Sequence, residues 1–295
     1  MSIFQRNAKK LVFLATAAGA SSVVFIRLVD MDPVAMGFFR LGFSMLIFTL
    51  PAALRGRSGY RGMNARDYAG CALAGFFLFC HFFCWFTAVQ NTAITSASVL
   101  GTLHPLVIVL VTRLFMGKRT GVKSMIGIVT ALAGGAVIVG FDHTMAENNT
   151  FGNLMGLLTA VFFGAYLLMG QTMRARIPAL NYISLVFGSC LVFFAGAAAA
   201  TGAPLAGHSA RDYLLLFAMA AICQGMAHAL LNWCVGYVSS LYVSVCMTME
   251  IVFAASYGAV IFREYPTLWQ YAGAATAISG LLYFNVSEAG EGGGS

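Results

Sequence analysis

The sequence predicts an all-α membrane protein, with ten transmembrane helices arranged as two inverted five-helix repeats. Three observations predict it. The 295-residue chain is 60% hydrophobic and only 9% charged, with a mean hydropathy of +0.83, whereas a soluble domain carries about 25% charged residues. Its apolar runs have the length that a hydrocarbon core of about 30 Å demands of a helix, roughly 20 residues. The second half of the chain also repeats the pattern of the first.

The spans follow one another with little left between them. The first, 11–29, has a basic start, an apolar run and Ala18-Gly19-Ala20, which resembles a signal-peptide cleavage site. Apolar sequence continues past that point, and the repeat needs this helix as its first member, so it is expected to stay. The second span, 34–53, carries Arg40, and the third, 67–88, holds G-F-F-L-F-C-H-F-F-C-W-F. The fourth, 93–116, bears His104 beside Pro105. The fifth, 122–140, and tenth, 267–286, share the pattern G-x-x-T-A-x-x-G. The sixth and seventh, 151–172 and 180–201, are apolar runs, and the eighth, 211–234, contains His228, Asn232 and Trp233. The ninth, 240–262, has Glu250 at its centre in an otherwise apolar setting. No room remains for a domain outside the membrane, so function is expected within the helices.

The net charge of +7 would suggest nucleic acid for a soluble protein, but here its distribution sets topology. With the N-terminus inside, the inner segments carry Arg6, Lys9, Lys10, Arg55, Arg57, Arg61, Arg66, Lys118, Arg119, Lys123, Arg174 and Arg176, and the outer loops only Arg211 and Arg263. This positive-inside bias predicts a multi-pass protein of the bacterial inner membrane, both termini cytoplasmic. No nucleic-acid partner is expected; lipid and a small molecule are. The seven cysteines all fall inside spans without a Cys-x-x-Cys. They read as small apolar fillers, so neither disulfide, metal nor other cofactor is expected.

Sliding the chain by 146 residues brings Gly127–Gly134 onto Gly273–Gly280 without a gap, together with Val89/Val235, Ser98/Ser244 and Thr102/Thr248. A slightly smaller shift pairs Thr16-Ala17 with Thr159-Ala160. The halves are read as 1–145 and 146–288, followed by a flexible tail, 289–295, of linker-like composition. Five spans is an odd number, so the second copy must insert upside down. Such inverted repeats recur in transporters, with the site near the bilayer midplane.

The stretch M-T-M-E-I-V-F-A-A-S-Y-G-A-V-I-F-R-E-Y-P-T-L-W-Q-Y-A-G-A-A-T-A-I-S-G, with L-H-P-L-V-I-V-L-V-T-R-L-F-M-G-K-R-T and G-F-F-R-L-G-F-S, resembles the drug/metabolite transporter superfamily in its EamA-type branch, and within it the YddG-type amino-acid exporters. The resemblance implies a ten-helix carrier that exports small metabolites. Two positions depart from the pattern: Lys118 stands where Glu is frequent, and Ile251 replaces the proline that often follows the ninth-helix acid.

Glu250 is the foremost candidate. A mid-helix charge costs about 2.5–3.5 kcal/mol on insertion scales and generally faces a cavity or a partner. It reads as a site for a substrate ammonium or a proton in a central cavity, or as a neutral acid hydrogen-bonded between helices. Under the repeat Glu250 overlies His104; symmetry could pair the two, or His104 could bond only a carbonyl beside Pro105. Cys246, Met247, Phe253, Ala254 and Tyr257 share the Glu250 face, and Met247 is taken into the site. His81 and Trp85 share a face of the third span, as do His228 and Asn232 of the eighth. His81 reads as lining the cavity, whereas for Trp85 and Trp233 the interfacial aromatic belt competes with substrate contact. Tyr166, Asn232 and Ser21 are offered as donors for a substrate carboxylate. Ser98 and Thr102 read as packing positions, and the small residues of the shared motif as close helix contacts within one chain, a monomer being expected over a dimer. Arg27 and Arg113 are expected to snorkel, Arg27 toward Asp30 or Asp32, and Arg40 to be paired structurally.

The expected function is therefore a secondary transporter exporting amino acids or similar small amphipathic metabolites by alternating access, with cationic drugs or polyamines as the alternative substrates and a channel as a further reading. Proton coupling through Glu250 and downhill efflux both suit these residues. An intramembrane enzyme is not expected: no Gly-x-Ser-x-Gly, His-Glu-x-x-His or paired intramembrane aspartates occur. All four lysines lie in the N-terminal segment or at the inner loop between the fourth and fifth spans, so no buried Schiff-base lysine is expected.

Overall fold

The computed structural model describes residues 8–51, 60, 62–116, 121–141, 149–174, 176–227, 230 and 247–292. They are helical, with no strand among the described residues. In chain order the helices are α1 (Ala8–Ala20), α2 (Ser22–Leu28), α3 (Pro33–Ser44), α4 (Ala65–Asn91), α5 (Ile94–Gly101), α6 (His104–Met116), α7 (Val122–Phe141), α8 (Asn149–Arg174), α9 (Ala179–Thr201), α10 (Ala210–Met219), α11 (Glu250–Phe262) and α12 (Leu268–Gly292). Helix α3 continues as a π-helical turn, Met45–Thr49, and α10 as a longer π-helix, Ala220–Ala227. Five described segments are long and apolar enough to cross a membrane, and three shorter apolar helices join them. Asn232, His228, Trp233, Ser244, Cys234 and Cys246 lie outside the described residues, as does the side chain of Arg113. Helix α12 runs to Gly292, past the point where the tail was expected to begin.

Local chemistry fixes where the helices start. The Asp32 side chain accepts the Val34 N–H at 2.8 Å ahead of Pro33 in the first turn of α3. Asn64 and Asp67 cap each other's backbone at the start of α4, as Thr267 and Gln270 do at α12. Helix α9 stops at Gly202, in the left-handed conformation with φ 71°. Helix α5 has only Ala93 at its N-cap and no side-chain cap of its own. Glu264, from the loop between α11 and α12, supplies one instead, accepting the Ile94 N–H.

Packing obeys a pseudo-two-fold axis. Helix α7 lies along α12 and α3 along α9, each beside its own repeat counterpart, and α5 of the fourth span lies along α11 of the ninth, the counterpart span. The remaining contacts come in matched sets: α4 with α8 mirrors the π-helix 220–227 with α1, and α4 with α9 mirrors α3 with α10. Along the counterpart pair α7 and α12, Gly127 meets Phe284 while Gly134 meets Gly273, and Ile94 at the start of the fourth span meets Glu264 beyond the end of the ninth. The two copies are therefore antiparallel, an inverted repeat.

The α7–α12 seam explains the shared glycine motif. A Cβ on Gly134 would collide with the Ala277 backbone and lie 2.5 Å from the Gly273 carbonyl oxygen; one on Gly280 would lie 2.7 Å from the Gly127 carbonyl oxygen. Both copies of the motif are consumed in this one intrachain contact, where missing side chains let the backbones touch. Outward faces remain apolar, with Leu110, Leu114, Val192, Leu214 and Val260 each more than half exposed, as suits lipid.

One cluster ties together the end of the molecule where α2, α4 and α11 finish. Arg27 does not reach Asp30 or Asp32 as expected. It pairs with Glu264 at 3.3 Å and donates to the Thr92 carbonyl at 2.6 Å. Asp32 is occupied as a cap, and the Asp30 backbone N–H donates to Asp212. Thr92 donates to Asn153, and Gln270 to Ser96, so both halves meet there. At the opposite end, one ion pair joins Arg176 to Asp67 at 2.8 Å.

Candidate functional site

The fourth and ninth spans, expected to be continuous, are both broken, and these two breaks are related by the repeat. In the fourth span the helix stops at Gly101, turns through Thr102 and Leu103, and restarts at His104. Pro105 accounts for this, since it lacks an N–H and disfavours helical geometry in the residue before it. In the ninth span the turn falls at Met249 and α11 begins at Glu250. No proline is present there, and nothing in the structure explains that break. Each break leaves a helix N-terminus at the polar residue. For the Glu250 carboxylate this is favourable, because the helix dipole is worth about 0.3–1 kcal/mol to an anion in the first turn. That covers only part of the roughly 2.5–3.5 kcal/mol cost of a mid-membrane charge. The rest must come from what Glu250 faces.

It faces a cavity of about 230 Å³ between the two halves, whose wall also includes His104, His81, Trp85, Tyr166 and Met247. Six of the seven residues singled out from sequence thus come together; the seventh, Asn232, is outside the described residues. Trp85 belongs to this wall rather than to an interfacial belt, with its ring against Gly101. Ser21 is not in the wall: it donates to the Ala18 carbonyl and approaches Cys223.

The expected carboxylate–imidazole pair does not form. Glu250 has no ion pair or hydrogen bond to it among the described residues, and the His104 ring is held by the Gly101 carbonyl. Instead the two histidines flank one ring. Phe163 lies 4.6 Å from His81 and 4.8 Å, edge to face, from His104. His81 Nδ1 is 3.1 Å from the Thr159 carbonyl oxygen. Beyond Glu250, the helix face expected to line the site packs on α1: Tyr257 donates to the Ala17 carbonyl at 3.0 Å, and Phe253 meets Phe13 edge to face.

The wall also contains residues read differently from sequence. Ser98 and Thr102 were expected to pack between helices, yet both line the cavity, and the Ser98 hydroxyl has no hydrogen-bond partner among the described residues. Thr16 and Thr159, aligned by the repeat, both line it and make matching bonds to the carbonyl four residues earlier, 3.0 Å each. Repeat-matched polar residues were therefore the available signal for the wall. Gln224 enters it from the π-helix 220–227, an insertion of the kind that often marks functional positions and that no sequence pattern announced.

Arg40 is the largest departure. It is 4% exposed and lines the cavity, but no carboxylate among the described residues pairs with it. Nη2 donates to the Gln224 side-chain carbonyl oxygen at 3.0 Å, while Nε and Nη1 have no acceptor among the described residues. The guanidinium sits 4.4 Å from the Phe82 ring centroid and 5.5 Å from that of Phe86. Ring faces contribute about 0.5–2 kcal/mol, against a penalty of several kcal/mol for a buried ion, so the charge is under-compensated. Arg40, Glu250 and Cys223 all line this one cavity.

Comparison with known proteins fits this architecture. A solved crystal structure, described only as that of a protein, superposes with a TM-score of 0.64 at 20% identity, over 96% of this chain and 98% of that one; at that identity it speaks for the fold. No curated protein matches the chain. The model of the EamA-like transporter family matches twice, over residues 8–140 and 150–286, one match for each inverted copy that frames the cavity. A multi-pass membrane transporter of the drug/metabolite type, built by duplication, the chain belongs to the EamA-like transporter family.

Proposed function

We propose that this protein is a secondary carrier of the inner membrane, both termini cytoplasmic, that exports amino acids or similar small amphipathic amines by alternating access of the central cavity. One observation carries the reading. A carboxylate, Glu250, stands at a helix break in a cavity wall built from both halves, with no partner among the described residues. It is suited to a substrate ammonium or a transported proton. A size argument favours small metabolites over drugs, because about 230 Å³ falls below the roughly 300–1,000 Å³ of drug-sized sites. The inverted copies supply the means of opening the site to either side in turn. On sequence pattern the chain resembles the YddG-type amino-acid exporters.

The test is counterflow of labelled phenylalanine and methionine in proteoliposomes, comparing the intact protein with Glu250→Gln. Saturable counterflow that the substitution abolishes supports a carrier with Glu250 in its cycle. Equal exchange by the variant would make Glu250 a packing residue, and flux without counterflow would make the protein a channel.

A further inference from the structure

We propose that Arg40 is the carboxylate-binding residue of the substrate site, so that the cavity selects zwitterionic α-amino acids over amines lacking a carboxylate. The inference rests on the reading of Glu250 as the ammonium site and deepens it. Arg40 is buried in the cavity wall, on the same structure that presents Glu250, yet the two form no ion pair. Among the described residues no other carboxylate pairs with it: Asp32, Asp67, Asp212 and Glu264 sit at helix ends, engaged in caps, ion pairs or loop contacts.

The donors are suited to the task. A guanidinium presents its N–H groups in a planar fork that matches a carboxylate bidentately. Here Nε and Nη1 have no acceptor among the described residues, and Gln224 holds Nη2 so that the plane cannot swing freely. Phe82 supports the plane from one face and is itself part of the wall. A positioned, uncompensated cation and a separate uncompensated anion within one small cavity are complementary to a molecule carrying both charges. Phe163 and Trp85 leave an aromatic wall for its side chain.

Full-length protein in lipid nanodiscs would be titrated with L-phenylalanine, 2-phenylethylamine, which lacks the carboxylate, and 3-phenylpropionate, which lacks the amine. The same comparison would be made with L-methionine and 3-(methylthio)propylamine. The intact protein is expected to bind each amino acid at least tenfold more tightly than its amine. Arg40→Met, which keeps volume, and Arg40→Lys, which keeps charge but not the fork, should each weaken the amino acid at least tenfold. Both should leave the amine within about twofold and stay monodisperse, and Arg40→Met should keep an undiminished melting temperature, since it removes a buried cation without a counter-ion. Glu250→Gln should do the reverse, weakening the amine while sparing 3-phenylpropionate. Equal loss of amine and amino acid in both Arg40 variants, with a lowered melting temperature, would make Arg40 structural and overturn the proposal. An intact protein that takes the amines as well as the amino acids would overturn the Arg40 assignment while Glu250 stands. One that binds none of the probes would remove the substrate class on which both readings rest.

Discussion

Removing the charge of Glu264 should loosen the end of the molecule where α2, α4 and α11 finish. Glu264 has two tasks there: one carboxylate oxygen caps α5 through the Ile94 N–H, and the other pairs with Arg27 at 3.3 Å. At an effective dielectric of about 20, two unit charges at that distance attract by roughly 5 kcal/mol before desolvation. The side chains are 20% and 18% exposed, between the surface regime of about 0–1 kcal/mol and the buried regime, where breaking a pair costs about 3–5. A net loss of about 1–2 kcal/mol is therefore expected for Glu264→Gln, which keeps an oxygen for Ile94. Glu264→Ala also loses the cap, worth about 0.5–2 kcal/mol more. Hydrogen exchange of the 93–97 amides in nanodiscs reads this directly, because a factor of ten in opening corresponds to about 1.4 kcal/mol. Exchange should quicken about 5- to 30-fold in Glu264→Gln and further in Glu264→Ala. Arg27→Gln should match the former, and the double variant should fall short of the sum by at least about 1 kcal/mol. Unchanged exchange, or strict additivity of Arg27→Gln and Glu264→Gln, would refute the latch.

Three further outcomes follow from the same geometry. Gly134→Val must push α7 from the backbone of α12, because contacts near 2.5 Å have to open to ordinary van der Waals distance. A loss of about 3 kcal/mol or more is expected, seen as a lowered melting temperature in detergent, with wild-type affinity in whatever protein remains folded. Arg176→Ala should cost less than about 1 kcal/mol by thermal denaturation, since Arg176 is 60% exposed and Asp67 keeps its capping bond to the Asn64 N–H. Ser98→Ala should leave the melting temperature unchanged, as its hydroxyl has no partner to lose, while a change in KM in the counterflow assay would report its place in the cavity wall.

How far the sequence reached can be read from particular residues. Composition and run length were enough for the helical membrane class, because the bilayer demands apolar segments of one length and internally satisfied backbones. The odd number of spans per repeat implied inversion, and the antiparallel run of α7 along its counterpart α12, Gly127 against Phe284 and Gly134 against Gly273, agrees with it. The glycine motif was legible as a close helix contact because a missing Cβ has one steric meaning; only the fold showed that the motif's partner is its own repeat. Glu250 and His104 stood out because a polar group in an apolar run is costly wherever it lies. Their relation was not legible. They share a cavity but not a bond, because each opens a helix after a break and one break has no proline to announce it.

Arg27 and Arg40 mark the boundary most clearly. Both are single basic residues in apolar spans, and sequence proximity suggested Asp30 or Asp32 for the one and some structural partner for the other. Tertiary packing brought Glu264 to Arg27 from the opposite half and brought only Gln224 and two aromatic rings to Arg40. The sequence by itself thus determined which residues are costly to bury, since that depends on residue type and the surrounding run. Which of them is neutralised, and which is left facing a cavity, depends on contacts between chain segments more than a hundred residues apart, and only the tertiary structure decided it.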